Sequence, residues 1–449
     1  MLPASPRHKQ LSGWGRYPMA DATMVAPESV SDVCEWIASK QQTGLIARGL
    51  GRSYGDSSLA PCVVSTANLD QIIAFDETSG LLTCSAGVSL GALLQAFVPK
   101  GWFLPVSPGT TFVTVGGAIA SDVHGKNHHL EGSFADHVSS LKIVTQAEGL
   151  VECSRDQRPE LFHATCGGMG LTGLVVEASF KLKPIKSAMI EETCIKAETL
   201  EQALALFEEH KSSTYSVAWI DCLASGKSLG RSLLMLGEHA AEDAAEGALA
   251  PGKAARLSIP LDMPSPLLNR YTMQAFNALY YYLRASRRRP QRTIHYEPYF
   301  YPLDSVRQWN RLYGRKGFVQ YQLVLPKSAG LVGMTAILEK VAASGMGSFL
   351  AVLKLFGKAN DNYLSFPMEG YTLALDFKMQ PGLLELLDEL DQIVVAHGGR
   401  IYLTKDARMS AEVFRQGYPG LGRFREVRVQ YGADKMFHSL QSQRLGIDG

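Results

Sequence analysis

The stretch CGGMGLTGLVVEASFKL, Cys166–Leu182, decides between two architectures. Gly168, Gly170 and Gly173 spell G-x-G-x-x-G, the spacing with which a dinucleotide-binding turn leads from a strand into a helix. The residues that follow, LVVEASFKL, are rich in β-branched side chains and alternate as a strand does. A doubly wound nucleotide fold needs a helix there, so the motif matches in letters and not in context. The segment reads instead as a glycine loop that something approaches closely, because its glycines carry no Cβ.

Two further glycine-rich segments lie upstream. ARGLGRSYGD, Ala47–Asp56, follows the short apolar strand GLIARG, and its Gly49, Gly51 and Gly55 miss the dinucleotide spacing by one residue. It is either a tight turn or a nest of backbone N–H groups around a diphosphate, with Arg52 and Ser53 as added donors. In SPGTTFVTVGGAIASDVHGKNHH, Ser107–His129, Pro108-Gly109-Thr110 predicts a turn. Gly116 and Gly117, followed by Ala118, Ala120 and Ser121, predict a backbone lying against a flat or bulky partner. His124, His128 and His129 suggest a metal, but the first pair would share a face only in a helix, which Gly125 and Asn127 oppose. No carboxylate cluster nearby completes a coordination sphere, so a polar loop is expected and no metal.

Around these loops the N-terminal third mixes strands (CVVST, GLLTCSAG, VSSLKIVTQ) with few helices: VSDVCEWIASK, capped by Ser29, and LGALLQAFV. After Lys186 the texture changes to longer elements, helix LEQALALFEEHK, strands YSVAWIDC and SLLMLGE, then helix AILEKVAAS and strand FLAVLKLFG. That succession predicts an α+β chain with an antiparallel sheet and a boundary near residue 185. A length of 449 residues suits two domains at ~100–200 residues each.

Composition narrows the function classes. With 44 basic against 43 acidic residues, the chain lacks the basic excess of a nucleic-acid binder. Its seven cysteines are scattered, with no CxxC, and read as reduced core residues. No secretory h-region opens the chain and no window offers the ~20 apolar residues of a membrane span, so a soluble or surface-attached protein is expected. EHAAEDAAEGALAPGKAA, Glu238–Ala255, reads as a mobile loop. YYYLRASRRRP, with Tyr280, Tyr281, Tyr282, Arg284, Arg287, Arg288 and Arg289, reads either as a solvated helix end or as an interfacial patch for anionic headgroups.

ARGLGRSYGD, PGTTFVTVGGAIASDVHGKNHHLEGSF and GGMGLTG together resemble the vanillyl-alcohol-oxidase-type flavoproteins. Within them the chain resembles the FAD-dependent oxidases of decaprenylphosphoryl-ribose epimerisation, a likeness that continues through WNRLYGRKGFVQYQLVLP, FLAVLKLFG, LSFP and GGRIYLTKDAR. The resemblance implies an FAD-binding domain (1–185), an antiparallel-sheet substrate domain (186–399) and a C-terminal segment returning to the first (400–449). It implies FAD contacts from Gly49, Leu50, Gly51, Arg52, Ser53 and Tyr54. Further contacts are implied from Pro108, Gly109, Thr110, Thr114, Gly116, Gly117, Ala120, Ser121, Val123, His124 and Gly125, with Gly170 and Tyr402. Many members tether the flavin through a histidine in the first loop; Arg52 stands there, so FAD without a covalent bond is expected.

Lys405 and His124 are the candidate catalytic residues that the resemblance implies, Lys405 lying beside the flavin and the reacting hydroxyl as base or hydrogen-bond donor. Gln320 and Gln322 alternate on one strand and share a face. By resemblance they bind sugar hydroxyls, with Lys354 suited to a phosphate. Ala374 stands where mycobacterial relatives have a cysteine. The implied reaction oxidises a secondary sugar hydroxyl, that of C2′ in a polyprenylphosphoryl ribose, before a short-chain reductase restores the epimer. A soluble alditol or lactone substrate, or a flavin-bound scaffold without turnover, are the alternatives. The implied location is cytoplasmic, at the inner-membrane surface, with the periplasmic face left open.

Overall fold

In the computed structural model residues 6–39, 44–241, 249–252, 257–264, 267–285, 291–348 and 350–448 are described. The chain is α+β, and LVVEASFKL is a strand, as its alternation predicts: Leu174–Lys181 lies in the middle of a five-stranded antiparallel sheet. The order of that sheet is Ile72–Asp76, Leu81–Ser85, Leu174–Lys181, Val138–Thr145, Gly149–Ser154. A four-stranded sheet precedes it, in which Cys62–Ser65 pairs in parallel with both Met19–Val25 and Leu45–Arg48. The helix Val30–Ala38 begins at Ser29, whose hydroxyl accepts from Asp32 N while the Asp32 carboxylate accepts from Ser29 N; Val33 and Ile37 are its buried stripe.

The largest sheet has eight strands, all pairings antiparallel, in the order Gln291–His295, Met189–Ala197, Ser232–His239, Tyr215–Ile220, Ala351–Phe356, Gly370–Lys378, Phe318–Pro326, Arg400–Ile401. Its strands alternate. Tyr321, Leu323, Leu373 and Leu353 pack beneath the helices Leu200–Glu209, Gly330–Ser344 and Leu383–Ala396, and Tyr321 Oη donates to Asp391 of the last helix at 2.9 Å. Residues of the opposite parity, Gln320, Gln322, Ala374 and Val352, face a cavity. The C-terminal segment crosses to the N-terminal sheets. Leu45 N donates to Met436 O, and the fully buried Arg428 donates to Leu171, Phe437 and Ile447 carbonyls while pairing with Asp448.

Three local features bear on the site. RIYLT is a strand only at Arg400–Ile401; from Tyr402 the chain turns, with Lys405 N donating to Tyr402 O. The small-residue run is a helix, Val115–Ala120, because Thr114 caps it by accepting from Gly117 N at 3.1 Å. Glu238 and His239 close a strand, Ser232–His239, instead of opening a loop, while residues 242–248 and 253–256 lie outside the described residues.

Candidate active site

A cavity of about 1220 Å³ lies between the glycine-rich segments and the open face of the eight-stranded sheet. Every residue named from the sequence as a cofactor or substrate contact lines it, apart from Gly125, whose absent Cβ would collide with the Asn127 side chain at 2.5 Å. The loops are held by one another. Gly49 is required because a Cβ would meet Thr114 Oγ1 at 2.3 Å, the oxygen that caps the Val115 helix. Gly116 makes its close approach to protein: its N–H donates to Ala86 O at 2.8 Å, and a Cβ would meet the Ala86 Cβ at 3.0 Å. The glycine that the sequence assigned to a cofactor is therefore also a packing requirement between the short helix and the neighbouring strand.

His124 is buried against Phe356, Phe366 and Tyr402, with ring centroids 4.7, 5.6 and 5.2 Å away. The Gln322 amide nitrogen can only donate, so at 2.9 Å the imidazole Nε2 accepts and Nδ1 carries the proton, with no partner of its own. Burial, with Lys354, His128 and Lys405 adding to it, holds its pKa well below the usual histidine range, and the ring is neutral. Asp122, which sequence reading passed over, fixes this wall from behind. Fully buried and at φ +38°, it accepts from Ala135 N, Asn360 Nδ2, Asn362 Nδ2 and Ser365 Oγ at 2.6–3.1 Å. The loop that carries Phe366 is thereby tied to the Ser121–His124 segment.

Lys405 turns back into the cavity, its ammonium 4.0 Å from the centroid of the Tyr54 ring. The turn is locked on both sides. Tyr54 N donates to Thr404 O, Gln441 Nε2 donates to Leu403 O at 2.7 Å, and Arg444 spans Asp406 and Asp56, each at 2.8 Å. Below it Asp376, fully buried, accepts from Gln320 Nε2 at 2.5 Å and from Tyr313 Oη at 3.5 Å. Burial lowers the Lys405 pKa and raises that of Asp376, and each charge pulls the other back toward its ordinary value. Asp376 was missed; extending the period-two reading from Gln320 and Gln322 to YTLALDF puts Thr372, Ala374 and Asp376 on one face. Lys354 and Lys126 also line the cavity, Lys126 donating to Tyr299 O, and burial brings their pKa values down to about 8 and about 7.

The lining fits a flat anionic dinucleotide. In front of Gly109 a Cβ would meet nothing within 4 Å, His124 offers an orphaned donor, and the Arg52 guanidinium stacks 3.9 Å over Trp14 with no ion pair among the described residues. A family model described as FAD binding domain matches residues 22–154. Decaprenylphosphoryl-beta-D-ribose oxidase of Mycolicibacterium smegmatis (strain ATCC 700084 / mc(2)155) is 36% identical over 453 residues, covering 98% of each chain. The chain belongs to this oxidase family. It is an FAD-dependent oxidoreductase. A Streptomyces coelicolor relative, named as an uncharacterized protein in the mprA 5'region, is 34% identical over 80% of this chain and its own full length. The mitochondrial L-galactono-1,4-lactone dehydrogenase of Arabidopsis thaliana is 26% identical over 38% of this chain and 28% of that protein.

His128 and His129 do not line this cavity. His128 Nδ1 accepts from Gly357 N at 3.2 Å and His129 Nε2 donates to Ser213 O at 2.9 Å. Among the described residues no group of three His, Cys, Asp or Glu side chains is arranged to hold a metal, and no helix is long and apolar enough to cross a membrane. In the Tyr280–Arg289 patch Tyr282 is exposed, while Tyr280 and Arg284 line the cavity. Tyr281 is buried with its hydroxyl on Ala197 O, and Arg284 pairs with Glu192; Arg287, Arg288 and Arg289 lie outside the described residues.

Proposed function

We propose that the chain oxidises the C2′ hydroxyl of a polyprenylphosphoryl-β-D-ribose to the ketone, with FAD bound non-covalently. The observation that carries the reading is Lys405, turned into the cavity beside Asp376, on a wall that also presents Gln320, Gln322 and Lys354. In this reading Gly49 to Tyr54 hold the diphosphate, Pro108 to Gly125 run along the cofactor, and Gly170 and Tyr402 flank it. Bound there, FAD supplies the two-electron acceptor. The chain manages the proton. Gln320 and Gln322 orient the sugar, and Lys405, desolvated and therefore with a lowered pKa, takes or shares the hydroxyl proton with Asp376 as its counter-charge. His124, neutral and backed by Gln322, holds its ring in place through the aromatic wall and offers Nδ1–H to the cofactor or substrate.

Residues 1–185 form the FAD-binding domain in this reading, 186–399 the substrate domain, and 400–449 the segment that returns. The first strand of the large sheet, Met189–Ala197, supports the first division. A short-chain reductase consumes the keto-sugar, and the enzyme works at the inner-membrane surface on the cytoplasmic side, where its lipid-linked substrate is held. A soluble alditol or lactone would leave Lys354 without a counter-charge, which is why we set it second. Replacing Lys405 with Met is expected to leave a folded yellow protein whose flavin is reduced at least about a hundredfold more slowly in anaerobic rapid mixing. Reduction at the native rate would take Lys405 out of the mechanism. Precipitation in acid should release all the colour, and colour remaining on the pellet would contradict the non-covalent assignment of Arg52.

A further inference from the structure

The three charged residues of KDAR, residues 405–408, go three ways. Lys405 enters the cavity, and Asp406 accepts from Arg444 of the C-terminal helix at 2.8 Å. Arg408 reaches the helix Leu383–Ala396 behind the large sheet, where it pairs with Asp391 and, at 2.7 Å, with the exposed Asp388. One ion pair therefore draws the Lys405 turn toward Arg444 and Asp56, and another draws it toward the back of the large sheet.

Asp391 is out of keeping with its helix. Leu383, Leu386, Leu387, Leu390 and Val394 are the buried stripe, and Asp391 lies within it, fully buried and one turn from both Leu387 and Val394. A leucine would serve the packing there. The carboxylate instead accepts from Tyr321 Oη at 2.9 Å through one oxygen and from Arg408 Nη2 through the other. Tyr321 stands between Gln320 and Gln322 on the Phe318–Pro326 strand and projects to the opposite face. The same strand holds the start of the turn, Tyr402 N donating to Gln322 O at 2.9 Å. One buried carboxylate thus joins the strand that presents both amides to the turn that presents Lys405. Burial pushes the Asp391 carboxyl up to about 6, against the pull of Arg408 and Tyr321. A carboxyl held above its ordinary value removes stability as pH rises toward 6, so the charge is kept at a cost to the fold.

We propose that Asp391 is a positioning residue: through Arg408 it fixes the Lys405 turn against the strand that carries Gln320 and Gln322. The proposal rests on Lys405 acting on the donor hydroxyl and adds what sets its distance from the amides. Tyr402 on Gln322 anchors the turn before Lys405, and Arg408 on Asp391 anchors it after, so the turn moves only with the strand. Without the second anchor the pull toward Arg444 is unopposed. The ammonium then shifts relative to the amides and to Asp376 and Lys354, the charged groups that face it. A displacement near 1 Å is worth up to about a hundredfold in rate, while amides on an intact strand go on holding the sugar.

The test uses the native holoenzyme, Asp391→Asn, Arg408→Met, and the double variant Asp391→Leu with Arg408→Met. Asparagine keeps an acceptor for Tyr321 and loses the charge for Arg408. The double variant replaces the buried pair with apolar side chains, an exchange that often leaves stability unchanged or raised. Each variant should reduce its flavin roughly ten- to a hundredfold more slowly at saturating farnesylphosphoryl-β-D-ribose, with a donor Kd within about twofold of the native value. Native melting with slow reduction in the double variant supports positioning. Native melting with native reduction would show that the pair only held the fold, and overturns the proposal. A second measurement needs no turnover: labelling of Lys405 by acetic anhydride, read by peptide mass as a function of pH. Its inflection should move up toward the ordinary lysine range in every variant, as water reaches the loosened turn. A moved inflection, with no donor bleaching even the native flavin, keeps the positioning and removes the oxidation. Bleaching at equal rates in native and variant proteins, with the inflection unmoved, does the reverse.

Discussion

At the scale of single residues, the proposed chemistry turns on groups forced out of their ordinary ionisation by burial. Lys405 and Asp376 are a cation and an anion, both buried, and each limits the shift that desolvation imposes on the other. Asp376→Asn removes the charge that raises the Lys405 pKa, so the inflection in the pH dependence of flavin reduction should move to lower pH. An inflection that stays in place would show that Asp376 does not act on Lys405. A lysine is a surface residue by default. Resemblance singled out Lys405, and the geometry supplies the physical reason: Arg444, 39 positions later, spans Asp406 and Asp56 and pulls the turn inward. Asp122 was not legible in that way, because it acts chiefly through Asn360, Asn362 and Ser365, 238 to 243 residues distant, and Asp376 shows only as one more position on a period-two face, its partner Gln320 lying 56 residues away.

Among the elements, strands and amphipathic helices were legible wherever one face is buried, since alternation or a helical stripe then appears in the text. Leu174–Lys181, Phe318–Pro326 and Val30–Ala38 are of this kind. The Val115–Ala120 helix was not. Its six residues include two glycines, and its stability comes from the Thr114 cap and from packing on Ala86, neither of which is a periodic signal. Thr114→Val should therefore cost about 1 kcal/mol of stability and weaken FAD binding, read by thermal melts of the flavin-free and flavin-bound protein. A variant melting as the native protein does in both states would show that the cap holds nothing. Gly49→Ala should be worse, because its methyl group would have to displace the same Thr114 oxygen from 2.3 Å.

Across the whole molecule, the site belongs to no one part of the chain. The loops at Gly49 and Gly116, the large sheet and the C-terminal helix Leu440–Arg444 each contribute to the surroundings of Lys405, and Arg444, on that helix, joins Asp56 after the Gly49 loop to Asp406 in the Lys405 turn. Arg444→Met leaves Asp56 and Asp406 without their cation, and unfolding in denaturant should register a loss of about 3–5 kcal/mol. A loss below about 1 kcal/mol would mean that the C-terminal helix is held by its apolar contacts alone. Such long-range ion pairs have no local signature, which is why the fold class could be read from the chain while the assembly of the site could not. The central claim is that this cavity brings FAD, a sugar hydroxyl and Lys405 together. Its most direct test is the visible spectrum of the purified protein before and after anaerobic addition of farnesylphosphoryl-β-D-ribose. The account predicts a flavin band that bleaches in the native protein and persists in Lys405→Met. A colourless protein that takes up no FAD, or a band that the donor leaves unchanged, would contradict it.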